Sequence, residues 1–204
     1  MVQNGDLGPL RKVVVHDGHQ GPVEIGCSRE FLDWLTDPVL NGGGAVTDFG
    51  CYGANLITWL NNGKRPQSVT AVIQTIKPQV YPKVDDEATI ILKYPEMQCI
   101  IQASWNWPMS RKDMEVYGKT GYVISENRHD LRYRLNEQET EKHEKLAERP
   151  VPYNDPFAVF AAVINGELTL PPYDAYSLEN NMQVVEILDA AKESARTGKT
   201  VQLQ

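Results

Sequence analysis

Apolar residues recur along this chain with two periods, and the change of period divides it into regions. Residues 11 to 15 (Arg-Lys-Val-Val-Val) read as a first strand. Ser28 can cap a short helix from Arg29 to Leu35, and Pro38 lies beyond its end. Between Thr47 and Asn61 the apolar positions Phe49, Leu56, Ile57, Trp59 and Leu60 have helical spacing, and Gly63 stands where a terminating glycine belongs. From Ser68 the period drops to two. Ser68–Ile76, Ala88–Tyr94, Gln98–Trp107, Met114–Tyr117, Tyr122–Glu126 and Leu131–Leu135 read as strands, joined by turns such as Gly118-Lys119-Thr120-Gly121. The helical period then returns. Asp155 with Pro156 opens a helix whose apolar face would be Phe157, Phe160, Ala161 and Ile164, with Gly166 at its end. Ser177 caps a long last helix with Leu178, Met182, Val185 and Leu188 on one side and Gly198 at its end, before a strand over Val201–Leu203.

Strands joined by short links build an antiparallel or mixed sheet, not a doubly wound parallel one. The expected fold is therefore α+β: a large, open, mostly antiparallel sheet with helices on one face. In Gln98–Trp107, Cys99, Ile101, Ala103, Trp105 and Trp107 would face that helix layer. Gln98, Ile100, Gln102, Ser104 and Asn106 make a mixed opposite face that must meet water or another subunit.

At 204 residues the chain is long enough for one domain, expected over 1–204. With 41% apolar and 23% charged residues it is not a disordered chain. A net charge of −7 argues against a nucleic-acid partner. No run approaches the roughly 18 apolar residues of a membrane helix. Nothing in the N-terminal residues reads as a signal peptide, and the compartment is not assigned, the cytoplasm being the default. Cys27, Cys51 and Cys99 form no CxxC pair and read as reduced, mostly buried thiols, so no metal site is expected from them. His16 and His19 read as solvated imidazoles in a glycine-rich loop. Asp85-Asp86-Glu87 reads as a solvated turn, and the polar residues 136 to 149 as a solvated loop or sheet edge.

The stretch with chemical content is Gly42-Gly43-Gly44-Ala45-Val46-Thr47-Asp48-Phe49-Gly50-Cys51-Tyr52-Gly53-Ala54-Asn55. Three glycines in a row permit left-handed angles and close backbone approach. Asp48, Tyr52 and Asn55 follow at spacings of four and three, which place them on one helix face. Gly50 and Gly53 each cost about 1 kcal/mol against alanine in a helix, which implies close packing against a neighbour or a ligand. Farther along, Trp105-Asn106-Trp107-Pro108 and Arg111-Lys112 offer an aromatic surface beside polar groups, and Trp107 and Arg111 are candidate substrate contacts.

The GGG-x-x-x-D-x-G-x-[H/Y] pattern opening a helix resembles the C-terminal domain signature of the Gfo/Idh/MocA oxidoreductases. The likeness extends to Gly5-Asp6-Leu7-Gly8, Glu115-Val116-Tyr117-Gly118-Lys119-Thr120-Gly121, Asp155-Pro156-Phe157 and Thr197-Gly198-Lys199. The resemblance implies the fold of the C-terminal domain of glyceraldehyde-3-phosphate dehydrogenase. It also implies an enzyme with a separate Rossmann domain that holds NAD or NADP, acting on a sugar, polyol or related carbohydrate. Tyr52 would exchange the substrate hydroxyl proton, Asp48 would orient the substrate or tune Tyr52, and Asn55 would contact substrate. Gly42, Gly43 and Gly44 would form a cofactor-proximal loop. The open sheet face would make a homodimer or larger assembly.

This chain has neither a Glu-Lys-Pro lysine, which the resemblance places in the Rossmann domain, nor a G-x-G-x-x-G between strand and helix. It is therefore expected to bind no cofactor and to be inactive alone. Two other readings share the fold: a non-catalytic binding or oligomerisation module, and an NAD-dependent glycoside hydrolase.

Overall fold

A computed structural model describes residues 1–203. Its nine strands form one sheet. In chain order they are β1 (Leu10–Gly18), β2 (Ser68–Gln74), β3 (Glu87–Lys93), β4 (Gln98–Ser104), β5 (Arg111–Gly118), β6 (Tyr122–Ser125), β7 (Asp130–Arg134), β8 (Lys142–Lys145) and β9 (Val201–Gln202). The spatial order is β8-β7-β6-β5-β1-β4-β3-β2-β9. Only β1 and β4 run parallel, with Val13 beside Cys99, Val15 beside Ile101 and Asp17 beside Ala103. The sheet is thus mixed but mostly antiparallel, as the short connections require.

Five helices accompany it: α1 (Arg29–Leu35), α2 (Ala45–Asp48), α3 (Gly50–Leu60), α4 (Pro156–Ile164) and α5 (Leu178–Thr197). Ser28, Asp155 and Ser177 cap α1, α4 and α5 through their side-chain oxygens. Gly198 ends α5 with φ of 66°. Helices α3 and α5 pack side by side on one face of the sheet. The core lies between, made of Val13 and Val15 of β1, Val69 of β2, Ala88, Ile90 and Leu92 of β3, and Cys99, Ile101 and Ala103 of β4. Gly53 lets α3 approach closely: a Cβ there would lie 2.6 Å from Ile101 Cγ2. The helix glycines therefore serve packing against a neighbouring element.

Several expectations need correction. The helix expected over 47–61 is two, because the chain bends at Phe49. The strand expected to run to Trp107 ends at Ser104. There Trp105 donates its backbone N–H to Asp86 O (2.8 Å) and Trp107 donates to His19 O (3.2 Å). Within 136–149 a short, exposed edge strand, β8, pairs with β7. Asp85-Asp86-Glu87 is no solvated turn. Asp86 is fully buried and accepts the N–H groups of Ile76 and Lys77, both at 2.7 Å. The cysteines are free, but only Cys99 is fully buried.

The apolar stripes of the last two helices also turn out differently. Phe157 (79% exposed), Phe160 and Ile164 of α4 face solvent, as do Leu178, Met182 and Val185 of α5. Among the residues expected on the inward side of α5, only Leu188 is buried. What α5 buries is Asn180, Gln183, Val184, Ile187, Leu188, Ala190, Ala191 and Ser194. The polar members are spent on backbone groups. Gln183 Nε2 donates to Gly63 O (2.7 Å), and Ser194 Oγ accepts from Ala71 N (3.0 Å).

Candidate active site

At the carboxyl ends of the parallel strands β1 and β4 the core face turns polar. Asp17 follows Val13 and Val15 on the inward side of β1, so the strand period carries a carboxylate into the protein. Lys112, its partner across β5, points the same way, with Nζ 3.6 Å from Asp17 Oδ1. The same ammonium lies 4.4 Å from the ring centre of Tyr52 and 5.1 Å from that of Phe49. His19 meets Phe49 edge-on at 4.8 Å and accepts the Gly21 N–H on Nδ1 (2.9 Å).

Asp48 closes the group from α2. Its Oδ2 accepts the indole N–H of Trp105 at 2.9 Å. That donor is fixed, because Trp105 is fully buried, its ring centre 4.8 Å from that of Tyr81. Burial pushes the Asp48 carboxyl above its ordinary value, against the Trp105 hydrogen bond and the nearby His19 and Lys112. Burial also raises Asp17, to about 6, with Lys112 offsetting only part of the cost. It lowers His19. Tyr52, 47% exposed, is held above its ordinary value by burial and by Cys51, Asp48 and Asp17. Burial pushes the Cys51 thiol up to about 11, so it is not a nucleophile near neutral pH.

Beside Tyr52 opens a cleft of about 690 Å³, whose lining includes Asn55, Trp59, Arg149, Tyr153 and Tyr176. Tyr52 and Asn55 thus share a cleft, and Asp48 sits behind Tyr52 in the polar group. The Asn55 amide, however, donates to Ala175 O (2.9 Å) and Asn181 Oδ1 (3.1 Å), tying α3 to the approach of α5.

Trp107 and Arg111 lie elsewhere. Trp107 covers Gly18, where a Cβ would meet its ring at 2.7 Å, and leans toward His16 with ring centres 6.5 Å apart. Arg111 pairs with Asp113, and its Nη2 is 3.3 Å from His16 Nδ1. His16, Arg111 and Asp113 alternate with the inward residues of β1 and β5, so this group is on the open sheet face. His16 is therefore a buried strand residue, bonded to Asp113 at 2.8 Å, and His19 is half-buried against Phe49; neither is a solvated loop imidazole. His16, Asp113 and Glu115 could together reach one cation, but Arg111 already neutralises the Asp113 carboxylate.

The triple glycine answers to Asp85. A Cβ on Gly44 would lie 1.8 Å from Asp85 O. The Asp85 carboxylate accepts the N–H groups of Gly44 (2.8 Å) and Val46 (2.7 Å), and its carbonyl accepts that of Ala45 (3.1 Å). The amides at the start of α2 already hold an internal anion, so this turn does not fit a dinucleotide phosphate. Asp17, Lys112 and His19 joined the site without being singled out by the motif. A charged residue at an inward position of an apolar strand was the available signal.

Residues 1–124 match the model of the GFO/IDH/MocA C-terminal domain, and the chain belongs to that family. No curated protein sequence matches it. Among solved structures, an aldose-aldose oxidoreductase from Caulobacter crescentus, complexed with glycerol, is 23% identical with a TM-score of 0.75, over 99% of this chain and 58% of its own. An inositol dehydrogenase homologue from Azotobacter vinelandii, complexed with NAD+, is 18% identical with a TM-score of 0.75, over 100% and 60%. A levoglucosan dehydrogenase, complexed with NADH and levoglucosan, is 18% identical with a TM-score of 0.77, over 98% and 60%. The chain thus spans less than two thirds of each of these proteins. Their agreement with it is an agreement of fold. Among the described residues, no helix is long and apolar enough to cross a membrane.

Proposed function

We propose that this chain is the substrate side of an NAD(P)-dependent oxidoreductase that acts on a sugar, polyol or related carbohydrate. The observation that carries the reading is Tyr52: a half-exposed phenol at the mouth of a cleft, set against the buried Asp17, the half-buried Asp48 and the exposed Lys112. Aromatic walls suit the apolar faces of a carbohydrate, and phenol and amide groups suit its hydroxyls. The cofactors and substrates of the neighbouring structures favour the same reaction class.

In this reading the substrate hydroxyl meets the Tyr52 hydroxyl, which takes or returns its proton. Asp48, locked by Trp105, fixes the local field and the position of α3. A nicotinamide held by a separate dinucleotide-binding domain would exchange the hydride. The Gly42–Gly44 turn would border that cofactor without gripping its phosphates.

A tyrosine base near neutral pH needs its pKa brought down from about 10, and two pH units of lowering take about 2.7 kcal/mol of stabilisation. Within this chain burial and neighbouring acids push Tyr52 the other way. The Lys112 ammonium, 4.4 Å from the Tyr52 ring centre, does not reverse this, so the balancing cation would come from a separate dinucleotide-binding domain, and the chain alone is expected to be inactive. The half-buried apolar residues Val14, Ile91 and Ile100 on the open sheet face suit an assembly of two or more copies.

The reading is tested by calorimetric titration with NAD(H) and NADP(H), on this chain and on a version extended to include a dinucleotide-binding domain. Binding by the extended protein alone is the expected result. If the extended protein ignores both cofactors, the redox reading fails and a binding module takes its place.

A further inference from the structure

The wall of the Tyr52 cleft separates into groups that hold the protein together and groups left for a ligand. Asn55 and Asn181 belong to the first kind: the Asn181 amide donates to Ser177 O (2.8 Å) and Ala175 O (3.3 Å). Asp174, in the same wall, accepts the Tyr176 N–H on Oδ1 (3.0 Å). The second kind comprises the hydroxyls of Tyr52, Tyr153 and Tyr176 and the guanidinium of Arg149. Among the described residues, Arg149 makes no hydrogen bond or ion pair.

Arg149 stands apart in this. Every other arginine of the chain has a carboxylate or carbonyl partner: Arg11, Arg29, Arg65 and Arg111, then Arg128, Arg132, Arg134 and Arg196. The chain has 27 acidic residues against 20 lysines and arginines, so partners are plentiful. Arg149 is exposed and lines the same cleft as Tyr52, so a guanidinium with no partner among the described residues stands where a ligand in that cleft can reach it. Its planar fork matches the two oxygens of a carboxylate or phosphate, and a purely neutral sugar would not use its charge.

We infer that the substrate carries an anionic group, a carboxylate or a phosphate ester, which Arg149 grips while a hydroxyl of the same molecule meets Tyr52. The substrate class is thus a sugar acid or a sugar phosphate. The inference rests on reading this cleft as the substrate site.

Binding alone tests it, without any turnover. The 204-residue chain is titrated at low salt with glucuronate, glucose 6-phosphate, glucose and inorganic pyrophosphate. The parent is compared with Arg149→Gln, Arg149→Lys and, as a control far from the cleft, Arg196→Gln. The expected result is at least tenfold tighter binding of glucuronate or glucose 6-phosphate than of glucose. Arg149→Gln removes that preference, Arg149→Lys keeps part of it, and Arg196→Gln keeps all of it. Which anion wins identifies the group. The inference is overturned if neither anion outbinds glucose, if the preference survives Arg149→Gln, or if pyrophosphate is the ligand that Arg149→Gln releases. The last result would make Arg149 a cofactor-phosphate contact. An anion preference in a protein whose extended form ignores NAD(P) would sink the redox reading and leave this inference standing.

Discussion

Asp17→Asn should stabilise the protein at neutral pH and lose that advantage in acid. Asp17 is 5% exposed, and its Oδ1 has no hydrogen-bond partner. The Lys112 ammonium stands 3.6 Å away, and burial outweighs it, so the carboxyl sits near 6 where its ordinary value is 3.8. Well below pH 3.8 the carboxyl is protonated in both folded and unfolded chains and carries no penalty. Between pH 4 and 6 the unfolded chain gives up this proton first, so the folded state holds more protons and stability falls as pH rises. Above 6 the loss is complete, at about 3 kcal/mol. Asparagine does not titrate there. The stability of the variant relative to the parent should therefore climb by about 2.5 kcal/mol between pH 4 and 7, or about 5–10 °C in Tm for a chain of this size. Urea melts of both proteins at pH 4, 5, 6 and 7 measure the difference directly. Curves that stay parallel to within 1 kcal/mol, or a variant that loses ground as pH rises, would refute the account of this site.

Other substitutions probe the packing around it. Gly44→Ala should cost roughly 3 kcal/mol or more, because its Cβ would run into the backbone carbonyl of Asp85, which cannot swing aside. Gly53→Ala meets only the side chain of Ile101, and about 1 kcal/mol of helix propensity offsets the crowding, so a smaller loss of about 0–2 kcal/mol is expected. Denaturation midpoints in the reverse order would contradict these contacts. Trp105→Phe leaves the Asp48 carboxylate without its indole donor. A double-mutant cycle with Asp48→Asn should give a coupling of about 1.5–3 kcal/mol, and a coupling near zero would mean that the hydrogen bond contributes nothing.

Local patterns were sufficient for the secondary structure and the class of the sheet. Period-two runs located β2 to β7, and Ser28, Asp155, Ser177 and Gly198 marked helix ends where they stand. They were insufficient where a residue's environment comes from far along the chain. Helical spacing shows that α5 is amphipathic, but the stripe of Leu178, Met182 and Val185 is exposed, and the buried side runs through Val184, Ile187, Leu188 and Ala191 together with Asn180, Gln183 and Ser194. The carbonyl of Gly63 and the N–H of Ala71 reward Gln183 and Ser194 for facing inward, and small residues let the helix sit close to β2. Asp85 is 41 residues from Gly44, which is why a half-buried anion at the start of α2 reads from the sequence as a solvated turn. In the site, Asp48, Tyr52 and Asn55 were readable because one motif holds them. Asp17 and Lys112 meet only through the β1–β5 pairing, and Arg149 reaches the cleft from a segment that reads as polar loop.

The central claim is that the Tyr52 hydroxyl moves the substrate proton. Phenylalanine keeps the ring that packs with Phe49 and Lys112 and removes only that hydroxyl. The decisive measurement is kcat/KM for Tyr52→Phe, in a version extended to include a dinucleotide-binding domain, with melting temperature as the check on folding. A loss of about 10²- to 10⁴-fold at unchanged Tm is predicted. A variant within threefold of the parent would show that another group carries the proton.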